Sequence, residues 1–357
     1  MTKHLDSLRM PEPGKVYSVV QWATGRIGAC NLQALIRSKQ FKVVGVYVHS
    51  ETKEGVDAGE LCGMPAIGVK ATRDINKLIA LKPDCIVANM EGACVDDVCR
   101  FLEAGINIAT SRVDYLEPDR MDPEVRRRVE AACIKGNSSI HATGASPGFS
   151  SEALPLVATT MSREMDCMTI DEFANIPASC PDFQCEAMGF GRPPGDKFDP
   201  NLLAYIAHGF VQSVNLIAKA LGLPLDKIDI SGETANANER FLLSGGTPIE
   251  KGMIAAQRIT IAGMRGGKAI ILYRINWYCS TNVDQAWNLR PSGWRLLLEG
   301  ETPIDINITF PVSGDKVSHA MAGNTGFRVI NAVPYVCAAA PGIRTSAELP
   351  IVVPMMG

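Results

Sequence analysis

A chain of 357 residues with 46% hydrophobic side chains has room for two domains of ordinary size, each with a filled core. A net charge of −3 argues against a nucleic-acid role, which draws on a basic surplus, and no apolar run approaches the ~20 residues that span a bilayer. The polar, proline-containing stretch Met1–Gly14 lacks the apolar core of a secretory signal. The 11 scattered cysteines, an odd number, indicate reduced thiols and a cytoplasmic protein. Cys94/Cys99 and Cys180/Cys185 lie closest in sequence, but neither pair has a histidine nearby or a zinc spacing, so no metal is expected.

In chain order, the apolar run Val16–Gln21 predicts a strand, the Gly-flanked Thr24–Ile27 a turn, and Gly28–Ser38 a helix with Ile27, Leu32, Leu35 and Ile36 on one face. Strands follow at Val43–Val48, Cys85–Ala88, Ile106–Ala109 and Ser139–Ala142. Between them stand helices at Ile75–Leu81, at Val95–Ala104 (stopped by Gly105), and from the N-cap Asp122 with Pro123 in the first turn to about Lys135. Such alternation predicts an N-terminal α/β domain of Rossmann type, a doubly wound parallel sheet, over residues 1–148. From residue 149 to 318 the pattern is α+β with a mainly antiparallel sheet. It comprises a helix over Ser151–Met161, a strand over Met168–Ala174, a polar Pro/Gly-rich stretch from Ile176 to Pro200, and a long helix over Asn201–Leu221. A hairpin follows, Ile254–Ala262 with Ala269–Tyr278, and then a strictly alternating strand at Ile304–Phe310. A last helix spans about His319–Ala338, within a segment 319–357.

The turn Trp22-Ala23-Thr24-Gly25-Arg26-Ile27-Gly28 joins the first strand to the first helix, where a dinucleotide diphosphate binds backbone N–H groups and a helix N-terminus. Gly25 allows close approach and Gly28 tight packing, while Ala23 stands where the usual motif has its first glycine. Ala23, Thr24, Gly25, Arg26, Ile27 and Gly28 are therefore the expected diphosphate-binding residues. The second strand ends in His49-Ser50-Glu51-Thr52-Lys53. His49, Ser50 and Lys53, with Arg26, suit the 2′-phosphate of NADP, and Glu51 keeps NAD open. Asn89 and Met90, just after a strand, are expected beside the cofactor ribose, with Glu91 reaching the substrate pocket. Gly144, at another strand end, is expected to hold the carboxamide. His141 stands near this turn as a candidate general acid, and His208 reads as an ordinary helix residue.

Several motifs carry a resemblance: Val-Val-Gln-Trp-Ala-Thr-Gly-Arg-Ile-Gly (19–28), Gly-Val-Asp-Ala-Gly-Glu-Leu-Cys-Gly (55–63), Gly-Ala-Ser-Pro-Gly-Phe (144–149), Met-Gly-Phe-Gly-Arg-Pro-Pro (188–194) and the segment from Asn331 to Thr345. Spread over nearly the whole chain, they resemble the dihydrodipicolinate-reductase-like oxidoreductases, among them the 2,4-diaminopentanoate dehydrogenases and native amine dehydrogenases. The resemblance implies an NAD(P)H-dependent enzyme that delivers hydride to a C=N or C=O carbon of a small carbonyl or amine substrate, with ammonia as a possible co-substrate. It also implies a homodimer built on the C-terminal sheet, a final segment returning to the Rossmann domain, cofactor roles for Ser111 and Asn331, and a substrate pocket walled by Phe149 that includes Phe173, Asn175, Met188 and Phe190. The His-His, Lys and Ser-Gly-Thr features of true dihydrodipicolinate reductases are missing, which argues against their substrate. Asp114 occupies the place of the amine dehydrogenases' glutamate, one methylene shorter, with Glu117 in the same loop. Asp114 is either the carboxylate that handles the amine or a solvated loop acid. A plain ketone or aldehyde reductase, or a non-catalytic dinucleotide sensor, would use the same scaffold.

Overall fold

The fold described here is a computed structural model covering residues 9–178, 180–195, 198–314 and 316–355. The chain divides into two units, one of Met1–Phe149 with Ala322–Gly357, the other of Ser150–Met321.

In the first unit the apolar runs become β1 (Tyr17–Trp22), β2 (Phe41–Tyr47), β3 (Ala71–Thr72), β4 (Cys85–Ala88), β5 (Asn107–Thr110) and β6 (Ser139–Ala142). They are separated by α1 (Arg26–Arg37), α2 (Ile75–Ala80), α3 (Val95–Glu103) and α4 (Pro123–Gly136). The Asp74 and Asp122 carboxylates cap α2 and α4 by accepting two first-turn N–H bonds each. All six strands pair in parallel in the order β3-β2-β1-β4-β5-β6, the doubly wound arrangement, which reverses direction between β1 and β4. β4 and β6 are buried along their whole length, so both faces of the sheet need cover. Leu32 and Leu35 of α1 cover one face, Val98, Phe101 and Leu102 of α3 and Val129 of α4 the other.

The second unit begins with α5 (Leu154–Ala158), β7 (Met165–Asn175), α6 (Asp182–Ala187) and α7 (Pro200–Ala220). It continues with β8 (Lys227–Asn236), the short pair β9 (Phe241–Leu242) and β10 (Pro248–Ile249), and then β11 (Ile254–Arg265), β12 (Lys268–Tyr278), β13 (Gly293–Gly300) and β14 (Ile304–Thr309). Six strands form one sheet in the order β14-β13-β7-β12-β11-β8, antiparallel except for β7 beside β12. Gly266 and Gly267, with φ of 57° and 76°, close the β11–β12 hairpin, where two consecutive left-handed residues match the twist of the strands. Ile206, Phe210, Val214 and Ile217 of α7 pack on Ile170, Ile261 and Tyr273 of the sheet.

After these come α8 (Lys316–Ala338) and β15 (Gly342–Arg344). β15 pairs in parallel with β6 as a seventh strand of the first sheet, and Val329, Val333 and Val336 of α8 join the core that α1 covers. The stretch read as a polar loop from residue 176 to 200 contains α6, and β3, β8, β13 and β15 extend the strands expected from the periodicity.

Candidate functional site

The turn after β1 keeps the backbone shape that its motif requires. Ala23 has φ of 71°, the left-handed conformation a first glycine normally serves. No side chain caps α1, whose N-cap is Gly25, and a Cβ built on Gly25 meets nothing within 4 Å. A helix N-terminus with open space above its glycine N-cap fits a diphosphate. Gly28 has the opposite environment: a Cβ there would lie 2.1 Å from the Ala23 carbonyl oxygen. The Gly28→Ala variant is therefore expected to lose about 1–3 kcal/mol of stability through overpacking against backbone, measured by urea denaturation; an unchanged midpoint would show that this packing is not needed.

Where the strand order reverses, a hydrogen-bonded cluster joins β1, α1, β4 and the end of β5. Gln21 Nε2 lies 3.1 Å from Asn89 Oδ1 and 3.0 Å from the Ala23 carbonyl, and Asn31 Nδ2 donates to the same Asn89 oxygen at 2.9 Å. Asn89 Nδ2 then donates to Ser111 Oγ at 3.0 Å. Gln21 and Asn31 are fully buried. Two donors on one amide oxygen define the orientation of Asn89 and present Ser111 at the carboxyl edge of the sheet, where open α/β folds bind ligands. Sequence reasoning identified Asn89 and Ser111 but not Gln21 or Asn31; a buried amide on an otherwise apolar helix face is the signal that marks Asn31. Met90 is buried in the core and Glu91 is exposed beyond it.

Asp114 sits in a short helical turn, Val113–Tyr115, just after β5. Its Oδ2 accepts both Arg112 Nε at 2.9 Å and Arg112 Nη2 at 2.6 Å. Its Oδ1 takes no hydrogen bond among the described residues, and the side chain is 29% exposed. Glu117, the second acid of the loop, turns inward: it is fully buried and accepts the Asp119 N–H at 3.1 Å. The partly open carboxylate of this loop is thus Asp114, oriented by a guanidinium that sequence reasoning did not single out.

Beyond β6, Phe149 N donates to the Gly144 carbonyl at 2.8 Å, which closes the 144–149 turn and leaves Phe149 half-buried. His141, raised above as a general acid, is 1% exposed. Its Nδ1–H donates to the Arg344 carbonyl at 2.6 Å, and burial pushes its pKa down to about 4. An imidazole that stays neutral at neutral pH, with its one N–H held by a backbone carbonyl, is no general acid there, so His141 serves the sheet instead. Asn331 is half-buried on α8.

At the second strand's end, Tyr47 and His49 stack edge-on with centroids 5.0 Å apart. Ser50 Oγ lies 2.7 Å from Thr52 Oγ1. Lys53 reaches back to the turn after β1, donating to Thr24 O and Oγ1 at 3.1 Å each. The ammonium expected at the ribose therefore braces the turn.

In the second unit Phe173 and Phe190 are buried, in separate apolar clusters. Asn175 is exposed with its N–H on Ser292 Oγ, and the Met188 carbonyl accepts Gln257 Nε2 at 2.8 Å. Phe190 borders a cavity of about 520 Å3 together with Phe183, Glu186, Arg192 and Leu243; Met188, Phe173 and Asn175 do not line it. Next to Phe173, the Glu172 carboxylate is held by the indole N–H groups of Trp277 at 3.1 Å and Trp294 at 3.3 Å. No helix among the described residues is long and apolar enough to cross a membrane, and those residues contain no group of three or more side chains suited to hold a metal.

This geometry agrees with what the chain is similar to. Residues 18–103 match the dihydrodipicolinate reductase N-terminus, and residues 203–357 match the 2,4-diaminopentanoate dehydrogenase C-terminal domain. An amine dehydrogenase of Streptomyces virginiae is 25% identical over 354 residues, covering 94% of this chain and 96% of that one. A 4-hydroxy-tetrahydrodipicolinate reductase of Methanocaldococcus jannaschii is 29% identical over 128 residues, 34% of this chain and 47% of its own length. The solved structure of an amine dehydrogenase from Mycobacterium smegmatis shares the fold, with a TM-score of 0.74 at 17% identity, covering 96% of this chain and 98% of that one. With both halves matched, the chain is an NAD(P)-dependent oxidoreductase similar to the dihydrodipicolinate-reductase-like enzymes.

Proposed function

We propose that this enzyme interconverts small ketones or aldehydes and the corresponding amines, as an amine dehydrogenase or imine reductase, with NADP and also NAD as cofactor. The observation that carries this reading is the Asp114 carboxylate, with Oδ2 clamped by Arg112 and Oδ1 left to accept a proton or an N–H. An ammonium or iminium nitrogen is a cation with N–H donors, and a fixed carboxylate oxygen stabilises it; it takes a proton from the attacking nitrogen and passes it to the carbonyl oxygen, which leaves as water when the C=N bond forms. Arg112 keeps that oxygen oriented, so little reorganisation is needed at the moment of reaction. The bound nicotinamide supplies the hydride for reduction or accepts it in the reverse direction. Gly25 and the open end of α1 would hold its diphosphate, Asn89 and Ser111 its ribose, and Gly144 its carboxamide, while Phe149 shields the reacting carbon from water. An aspartate reaches less far than a glutamate, which favours carbonyl reduction without ammonia as a second reading.

One assay separates the two: NADPH oxidation with a panel of small ketones and aldehydes, with and without ammonium at mildly alkaline pH. Oxidation that requires ammonium is the expected result. Equal rates without ammonium would move the enzyme to the carbonyl reductases, and no turnover of any carbonyl, imine or amine would remove the catalytic reading altogether.

A further inference from the structure

Asn31 is a polar residue on the packed side of α1, fully buried together with Leu32 and Leu35. A buried amide is costly unless its polar atoms are matched. Asn31 Nδ2 donates to Asn89 at 2.9 Å, but Oδ1 is enclosed and has no hydrogen-bond partner among the described residues. What that oxygen meets is α8. A Cβ built on Gly326 would lie 1.9 Å from Asn31 Oδ1 and 2.9 Å from its Cγ, so the helix backbone comes this close only at a glycine. Gly326 lies inside α8 and has no left-handed φ, so its backbone conformation does not call for glycine, and glycine within a helix is destabilising relative to alanine. The close approach to Asn31 is the reason for it. Beyond Asn31 the bonds have a fixed direction. Asn31 and Gln21 both donate to Asn89 Oδ1, and Asn89 Nδ2 donates to Ser111 Oγ at 3.0 Å. Ser111 Oγ therefore accepts within the cluster and keeps its own hydrogen for an acceptor outside it.

We propose that Gly326 and Asn31 are positioning residues for the cofactor: α8, through Gly326, seats the Asn31 amide against Asn89, and this aims the Ser111 hydroxyl as a donor to an oxygen of the nicotinamide ribose. A methyl group at position 326 pushes the Asn31 amide off Asn89. Asn89 is then held by Gln21 alone, and Ser111 loses its fixed direction. The last helix thus takes part in cofactor binding through two buried amides and a hydroxyl, with no atom of its own on the ligand. This inference rests on the reading that Asn89 and Ser111 hold the nicotinamide ribose, and is independent of Asp114 and the amine chemistry.

The test is calorimetric titration of the full-length protein and its variants with NADPH and, separately, with ADP, which lacks the nicotinamide riboside, beside the thermal midpoint of each variant. Gly326→Ala and Asn31→Ala are each expected to weaken NADPH about fivefold or more, the scale of one hydrogen bond between neutral groups, and to change ADP less than about twofold. In the double variant the space vacated by the amide takes the added methyl. Its midpoint should therefore rise above that of Gly326→Ala, while NADPH stays as weak as in Asn31→Ala alone. A role in packing alone would bring affinity back together with stability. Should Gly326→Ala fail to fold, Asn31→Ala and the double variant still decide the matter. Equal loss of NADPH and ADP in Asn31→Ala, or NADPH affinity equal to the parent's, would overturn the inference. Ser111→Ala separates the two levels. If it weakens NADPH while Asn31→Ala does not, the ribose reading stands and the positioning role falls; if it leaves NADPH affinity unchanged, both fall.

Discussion

Replacing Asp114 by alanine is expected to lower turnover about 100-fold or more, the range for losing a positioned acid–base group, while NADPH affinity stays within about threefold of the parent. The asymmetry follows from placement. Asp114 bonds only to Arg112 among the described residues, through Oδ2, and takes no part in the Gln21–Asn31–Asn89–Ser111 cluster at the strand ends. Its loss frees a guanidinium that is already 30% exposed and readily solvated, so the fold is little disturbed. Asp114→Asn keeps the shape and the single-atom reach but removes the charge, and should fall nearly as far. Asp114→Glu restores the longer acid of the amine dehydrogenases this segment resembles and should retain ammonium-dependent turnover. Steady-state rates with ketone, ammonium and NADPH, beside NADPH titrations, provide the check. Turnover of Asp114→Ala within about threefold of the parent would make Asp114 a bystander, since no group that moves protons in the rate-limiting chemistry is that dispensable.

The second large effect concerns acid stability and comes from His141. Burial is the first cause of its lowered pKa, about 4 against an ordinary 6.5, and the Arg328 charge adds to it; the hydrogen bond to Arg344 opposes both. The Nε2 atom is buried without a partner among the described residues, so a proton placed there enters an enclosed site. The folded state thus binds fewer protons than the unfolded chain. The contribution is full above the unfolded pKa of 6.5 and is lost as pH falls from 6.5 towards 4. Linkage puts the total at roughly 3 kcal/mol, of which about 2 kcal/mol should vanish between about pH 7 and pH 5. In His141→Asn the side-chain amide can still donate to the Arg344 carbonyl, but nothing titrates. Urea denaturation of the two proteins at both pH values should show the parent losing about 2 kcal/mol more than the variant. Parallel losses would mean that His141 is hydrated in the folded state.

The sequence made some of this legible for identifiable reasons. β1, β2, β4 and β6 are apolar runs with turns or helices at their ends, and the Asp122-Pro123 cap states where α4 starts. The tight turn between β1 and α1 could be read because its close packing admits only glycine at position 28, where a Cβ would meet the Ala23 carbonyl. Other elements leave no such mark. β3 and β15 have two and three residues, too few for any period to show. β8 is exposed over much of its length and contains Gly232, so it lacks the apolar alternation of a half-buried strand. α6 buries only Cys185 within a polar stretch. Arg112 meets Asp114 locally, two residues along the chain, in a turn whose geometry the spacing of charges does not mark. Arg73 meets Glu51 only because β3 lies beside β2, a meeting that charge and spacing along the chain do not predict. Lys53 shows the converse: a cation in the right sequence neighbourhood that finds a carbonyl and a hydroxyl of the turn instead.

The seventh strand has a consequence for how the protein is made. β15 is held by backbone pairing to β6 and by the His141 contact, and α8 supplies Val329, Val333 and Val336 to the first unit's core. Residues 150–321 leave the ribosome as one uninterrupted stretch and can complete their own core as soon as they emerge. The first unit, although synthesised earlier, must keep one face of its sheet incompletely covered until residues 322–344 arrive, nearly 200 residues after β6. Contacts separated by that much chain form slowly. In a pulse-labelling or arrested-chain experiment, the second unit should therefore gain protection first, with the dinucleotide domain as the last part of the nascent enzyme to close.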